Sequence, residues 1–516
     1  MALVVGVDSS TSATKVEIRD STDGTVVGAG RSAHPATTPP RSEQDPQDWW
    51  RALELATHQA LDLGAQALAS GPTGAGRASR VPSDVAALSV AGQQHGLVAL
   101  DRSLDVVRPA KLWNDTESAP DARELVRRLG GPAAWMAACG SVPVSAFTIS
   151  KLAWLRRKEP AAFDRTRFVA LPHDWLTLRM TGRLVTDRGD ASGTGYWSPR
   201  DDDWRPDLLD LIEPGRDWLA SLPLVLNPTD TVDRIRPPVA DALRVSPKTI
   251  VGPGTGDNMA AALGLGLQPG DVAVSVGTSG TVFAVVEEPL VDADPAIAGF
   301  ADATGRYLPL VCTLNASKVT DTFARLLDVD QIGFADLVAA APPGAGGMVL
   351  LPYLDGERTP DLPMATGALL GIRTTATRPL VARACVEGVV CGLVDALDAL
   401  IACGVDPSGR LVLTGGAARS GSYGRVLADL TGRSIEVASE EELVARGAAI
   451  QAAAVLTGTN PMTVAESWIP VATHRVEPDT AADISEIRGR YAAVRDLVAR
   501  DAAVPGDWTG GRWDPG

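Results

Sequence analysis

Apolar residues come in short blocks at the start of this chain, separated by polar turns. Leu3-Val-Val-Gly-Val7 and the stretches after it predict three β segments, at 3–7, 15–19 and 24–29. After Asp45-Pro46 the rhythm becomes helical, and a helix is expected over about 46–69. Residues 70–83 are a run of Gly, Ser and Pro and read as an exposed loop. A buried strand over 85–90 then runs into Ala91-Gly-Gln-Gln-His-Gly96. Helical patterns alternate with short loops over 120–185, and 199–250 is rich in Pro and Asp. A second unit opens near 251 with Val-Gly-Pro-Gly-Thr-Gly-Asp-Asn258 and a helix of small residues. Further on come an apolar helix at about 379–404, a strand–glycine turn–helix start at 411–421, and a helix at 441–457. After 458 the pattern weakens to one amphipathic helix at about 482–502 and a frayed tail at 508–516. Strands alternating with helices place both units in the α/β class.

Two stretches far apart repeat one pattern. Gly6-Val-Asp-Ser-Ser-Thr-Ser-Ala-Thr-Lys-Val-Glu-Ile18 and Val274-Ser-Val-Gly-Thr-Ser-Gly-Thr-Val-Phe-Ala-Val285 each read as strand, tight turn, strand. Turns of Gly, Ser and Thr leave backbone N–H groups free to face an anion. Such a hairpin opening each half of the chain suggests a two-lobed nucleotide enzyme with phosphates held between the lobes. The length of 516 residues exceeds one ordinary core. The expected division is 1–250, 251–460, and a C-terminal extension of one helix plus tail over 461–516.

Composition narrows the partners. A formal charge of −16 repels nucleic acid and anionic membranes, so small-molecule chemistry is favoured over either. No apolar run reaches a membrane span and no leader pattern is seen, so the cytoplasm is the default compartment. The five cysteines show no CxxC pairing and read as small hydrophobes.

Several residues then stand out for chemistry. Asp8, ending the first strand, either caps its own turn or sits beside a phosphate loop where it could hold Mg²⁺ through water. Gly277-Thr-Ser-Gly280 lets backbone approach a ligand, but no Gly-Lys-Ser/Thr follows, so it is not a Walker loop. Leu413-Thr-Gly-Gly-Ala417 is either an ordinary β–α turn or a place where backbone meets a flat ligand or phosphate. Asp257, at a loop–helix junction, is an N-cap or a general base that takes a proton from an attacking hydroxyl. His95 follows a strand end, where α/β folds place ligand contacts, and has no neighbouring His or Cys for a zinc site.

Taken in order, these motifs resemble the FGGY carbohydrate kinases, from residue 4 to about 457. The resemblance includes Ser42-Glu-Gln-Asp-Pro46, Ala91-Gly-Gln-Gln-His-Gly96, Leu112-Trp-Asn-Asp115, Leu171-Pro-His-Asp-Trp175 and Asp190-Ala-Ser-Gly-Thr194. It continues through Gly256-Asp-Asn258, Gly277-Thr-Ser-Gly280, Leu351-Pro-Tyr-Leu-Asp-Gly-Glu-Arg-Thr-Pro360 and Gly415-Gly-Ala-Ala-Arg-Ser420. It implies the two-lobed actin-like (ribonuclease H-like) ATPase fold, each lobe a mixed sheet flanked by helices. It also implies roles. Asp257 falls on the catalytic base, and Asp8 on the acidic residue near Mg²⁺. Thr11 and Ser12, and Gly277 and Thr278, fall on phosphate-facing positions, and Gly416, Ala417 and Ser420 on the adenosine motif. Gln94 and His95 fall on the sugar-contact pair, with Asn258 beside the base.

The reaction implied is ATP-dependent phosphorylation of a ketopentose, foremost D-xylulose to D-xylulose 5-phosphate. Ribulose, gluconate, glycerol and sugar alcohols are alternative substrates in the same family. An actin-like ATPase or sugar-binding regulator without kinase activity is the competing class, but the base and both hairpins are present. A homodimer is compatible with a sequence that does not fix the oligomeric state. Two positions depart from the family pattern. Ser10 stands for a glycine in the first loop, costing about 1 kcal/mol if that site needs positive φ. Gln94 replaces a methionine and brings a donor and an acceptor to the sugar wall.

Overall fold

The computed structural model describes residues 2–38, 40–69, 81–291, 293–362, 364–440, 442–479 and 483–502. Most of the loop expected at 70–83, and the tail at 508–516, lie outside these. The chain forms two units: 1–270 with 284–309 and 442–471, and 271–283 with 310–441 and 472–516.

The first unit is built on a mixed sheet. Strand Leu3–Ser9 pairs antiparallel with Ala13–Asp20, which pairs antiparallel with Val26–Ala33. On its other side Leu3–Ser9 lies parallel to Val85–Gly92, which is itself parallel to Ile250–Val251 and Thr255–Gly256. The helix expected after Asp45 is Pro46–Ala69, and Asp45 starts it by accepting the Gln47 N–H at 2.9 Å. Its buried positions, among them Trp49, Leu53, Ala56 and Ala60, recur at helical spacing and pack with Val5, Val7, Val16 and Ile18.

A second helix, Leu443–Thr457, covers the opposite face of this sheet. Register explains why the faces differ. Gly6 stands opposite Glu17 and Glu17 opposite Ala29, so Gly28 and Gly30 point the other way. A Cβ on Gly6 would lie 1.9 Å from the Ala445 carbonyl, whereas one on Gly30 would lie 2.0 Å from that of Ala56. The same late helix packs on Asp257–Leu265, where a Cβ on its Gly447 would stand 1.9 Å from the Ala260 carbonyl. These contacts are backbone against backbone, possible only where side chains are absent.

The second unit has its own mixed sheet. Its strands run in the order Tyr307–Thr313, Gly280–Ala284, Val272–Val276, Leu411–Thr414, Ile435–Ala438, Thr473–Val476. Val272–Val276, Leu411–Thr414 and Ile435–Ala438 are parallel, and the outer strands are antiparallel. The apolar helix expected at 379–404 is Arg378–Ala402. Both units are therefore α/β, as the alternating pattern predicts.

The chain beyond 458 holds more than the single helix expected. It forms helix Pro461–Ser467, edge strand Thr473–Val476 and helix Ile484–Ala502. The strand burial is slight, so its sequence carries no apolar alternation to read. Residues 81–83, read as loop, belong to a helical turn, Val81–Asp84. Among the described residues no helix is long and apolar enough to cross a membrane.

Candidate active site

In the first unit, chemistry gathers where Leu3–Ser9 and Val85–Gly92 end side by side. Asp8 pairs with Ala91 across the parallel ladder, and Thr255–Gly256 continues alongside toward Asp257. Gln93, Gln94 and His95 follow directly, all buried. Asp257 is the first residue of its helix and is half-buried. The Asn258 backbone N–H and Nδ2 both donate to Asp257 Oδ1, at 2.8 and 2.9 Å. Asn258 Nδ2 also donates to Gln94 Oε1 at 2.8 Å, so one amide ties the carboxylate to the glutamine. That bond fixes the Gln94 carboxamide with its oxygen engaged; Nε2 is buried without a hydrogen-bond partner among the described residues. Burial, then the charges of Asp8 and Asp190, push Asp257 up to about 7 against the pull of the Asn258 donors.

Asp8 is likewise raised, to about 6, by burial and by Glu442, with Lys15 opposing. Lys15 Nζ lies 3.5 Å from Asp8 Oδ2 and 2.8 Å from Glu442. Asp8 Oδ1 is buried with no hydrogen-bond partner among the described residues. A buried carboxylate oxygen left open in this way fits a hydrated divalent cation. Among the described residues one three-carboxylate group, Glu43, Asp115 and Glu117, closes around the side chain of a lysine. Lys111 Nζ reaches all three at 3.1, 2.8 and 2.8 Å.

His95 sits in a tight socket. Its ring stacks on Phe147 with centroids 5.0 Å apart and planes 8° from parallel, and Phe300 lies 5.5 Å away. A Cβ on Gly193 would fall 2.2 Å from His95 Cε1, and one on Gly256 2.8 Å from Gln94 Cδ, so two glycines make room for the pair.

The first turn differs from expectation in one respect. Ser10 does not take positive φ. Its N–H and its hydroxyl both donate to the Ala13 carbonyl, at 3.0 and 2.9 Å, closing the hairpin. The condition under which a serine there would be strained is therefore not met. Ser10→Gly is expected to cost about 0.5–1 kcal/mol of stability through lost backbone restriction, with no gain in ATP affinity. Thermal melts and the KM for ATP check this. In the same turn the Thr11 hydroxyl donates to Gln93 Oε1 at 3.0 Å and accepts from Trp113 Nε1 at 2.8 Å, whereas Ser12 is exposed.

In the second unit, Gly277, Thr278, Gly416, Ala417 and Ser420 line one cavity of about 710 Å³. Parallel strands Val272–Val276 and Leu411–Thr414 bring the two turns together, and Gly415, at φ 92°, lets its backbone pass the Val276 carbonyl. The helix Ser317–Leu326 is tied to the first turn by Ser317 N–H to Gly277 O at 2.9 Å. Ile332, Phe334, Ala335 and Val386 add an apolar wall. Polar turns on one side and apolar side chains on the other, at this volume, suit a nucleotide-sized ligand.

Residues 3–264 match the N-terminal domain, and residues 272–456 the C-terminal domain, of the FGGY family of carbohydrate kinases. The chain belongs to this family. As an FGGY member it is a sugar kinase, a phosphotransferase. It is similar to the xylulose kinase of Streptomyces coelicolor, 42% identical over 506 residues, spanning 97% of this chain and 98% of that protein. It is similar to the xylulose kinase of Streptomyces rubiginosus, 44% identical over 466 residues, 90% of each. Among solved structures, the xylulose kinase of Bifidobacterium adolescentis is 36% identical, with a TM-score of 0.80 over 96% of this chain and 99% of that one.

Other members of this FGGY kinase's first site were not singled out from sequence. Phe147 and Phe300 are lone aromatics in unrelated segments, and nothing local marks them. His173 and Asp190 lie in segments that carried the resemblance, but no spacing rule pairs them.

Proposed function

We propose that this FGGY kinase transfers the γ-phosphoryl group of ATP to a ketopentose, with D-xylulose as the foremost substrate. The observation that carries the reading is the Gln94–Asn258–Asp257 chain, which sets a half-buried carboxylate beside two sugar-reading groups. The xylulose kinases to which the chain is similar support the choice of sugar. Asp257 accepts the proton of the substrate hydroxyl as its oxygen bonds to the γ-phosphorus; the bond from phosphorus to the β–γ bridging oxygen breaks, and ADP leaves. Both Asn258 bonds fall on Oδ1, which leaves Oδ2 to face the hydroxyl. Gln94 Nε2, a donor with no hydrogen-bond partner among the described residues, pairs with an oxygen of the sugar, and His95 forms the adjoining wall. The cavity lined by Gly277, Thr278, Gly416, Ala417 and Ser420 takes ATP. Asp8 would hold Mg²⁺, which would supply positive charge to offset that of the phosphates.

A coupled ADP-release assay over ketopentoses, gluconate, glycerol and sugar alcohols tests the substrate. A preference of about tenfold or more in kcat/KM for D-xylulose is expected, and an equal or greater value for another class would reassign it. The same assay tests the base through pH. Asp257 acts only as a carboxylate and its pKa is raised to about 7. Activity is therefore lost as pH falls through that value, and kcat/KM for the sugar levels off above it. A profile flat between about pH 5.5 and 8 contradicts the assignment.

A further inference from the structure

His95 is held in an unusual backbone state. Its φ is 64°, in the left-handed region that disfavours any residue with a side chain. Strain kept at a site is maintained by the surroundings, and here the surroundings are specific. Thr148 Oγ1 donates to the His95 carbonyl at 3.2 Å, and the His95 N–H donates to Asp190 Oδ1 at 3.4 Å. The other oxygen of Asp190 lies 3.0 Å from His173 Nδ1. Asp190 and His173 are fully buried. His173 Nε2 faces Asp174 at 3.2 Å and Asp187 at 3.5 Å. Burial opposes charge on that ring, but Asp174, Asp190 and Asp187 overcome it and raise His173 to about 9. Asp190 is set in turn by Asp187, whose Oδ1 accepts the Asp190 N–H at 3.1 Å.

We propose that Asp190 is a positioning residue for sugar recognition: braced by the buried His173 ring, it holds the His95 backbone in the left-handed state that presents the imidazole to the substrate. This rests on His95 reading the sugar, as set out above. A carboxylate is required because both neighbours donate, and only two acceptor oxygens on one group serve both. Asparagine has one acceptor, so Asp190→Asn must forfeit either His95 or His173.

The test compares three variants by steady-state kinetics and thermal melts. Asp190→Asn raises the KM for the sugar about tenfold or more, with the KM for ATP unchanged. His173→Gln with Asp190→Asn restores it: Gln at 173 accepts from the asparagine amide, whose oxygen again takes the His95 N–H. His173→Gln with Asp190→Ala, lacking that acceptor, does not. The two double variants decide the matter even where the single one fails to fold. Equal sugar KM in both doubles, a single variant with wild-type sugar KM, or a parallel rise in both KM values overturns the proposal. A wild type inactive on ketopentoses refutes the substrate reading instead, and the comparison then runs on the sugar it does phosphorylate.

Discussion

Asp257→Ala is expected to lower kcat by about two to four orders of magnitude while leaving the affinity for ATP near that of the wild type. The argument is geometric first. Two donors from Asn258 hold one oxygen of the carboxylate, so the other has a fixed direction before any sugar arrives. In a loose phosphoryl-transfer transition state the proton moves late, and a held acceptor matters more than a strong one. Removing the carboxylate leaves the hydroxyl to give its proton to water. The turns that line the nucleotide cavity belong to the second unit, and the substitution leaves their residues unaltered. Asp257→Asn keeps the shape and loses the basicity, so it should fall nearly as far. Single-turnover kinetics with a nucleotide-binding titration check both. A kcat for Asp257→Ala within about tenfold of wild type removes the residue from this role.

The largest expected effect on stability comes from a single methyl group. Gly6→Ala places a Cβ 1.9 Å from the Ala445 carbonyl and 2.5 Å from the Ala449 nitrogen. Both obstacles are backbone inside helix Leu443–Thr457, so no rotamer change relieves the clash, and the helix must lift from the strand. Overpacking of this kind costs about 3 kcal/mol, the upper part of its usual range. The displaced helix also packs on Asp257–Leu265, so kcat should fall together with the melting temperature. Gly489→Ala is the control. It lies in helix Ile484–Ala502, where an added methyl meets nothing within 4 Å, and it should raise stability by about 0.4–1 kcal/mol. A Gly6→Ala protein that melts with the wild type would show that the strand and helix are not so closely apposed.

What could be read from sequence followed from local rules. The Leu3–Ser9 and Ala13–Asp20 hairpin, helix Pro46–Ala69 and strand Val85–Gly92 announce themselves through short-range periodicity and a proline start. So does the concentration of Asp8, Gln94, His95, Asp257 and Asn258 at strand ends. Four things could not be read, because each depends on which groups the folded chain brings together. Whether the Ser10 site needs positive φ is answered only by the folded turn, where its N–H and hydroxyl close on Ala13. The Thr11 hydroxyl, expected to face phosphate, is shared between Gln93 and Trp113. His95 owes its conformation to Asp190, Thr148 and an aromatic neighbour from residue 300. Helix Leu443–Thr457 looked like an element of the second unit by its place in the sequence, and only the glycine-sized gap over Gly6 explains why it joins the first.

That last arrangement has a bearing on how the protein is made. The sheet that carries Asp8 is among the first parts synthesised, yet one of its faces is closed by a helix that begins at Leu443. At ribosomal rates of about 5–20 residues per second, the delay between them is on the order of tens of seconds. Throughout that time this helix has yet to cover a sheet face floored by Val4, Gly6, Ala87 and Ala91 and carrying the Glu17–Arg19 ion pair, which the finished fold buries. A fragment ending at Gly270 would keep that face open permanently, so the N-terminal half should not be obtainable as a well-behaved domain by simple truncation.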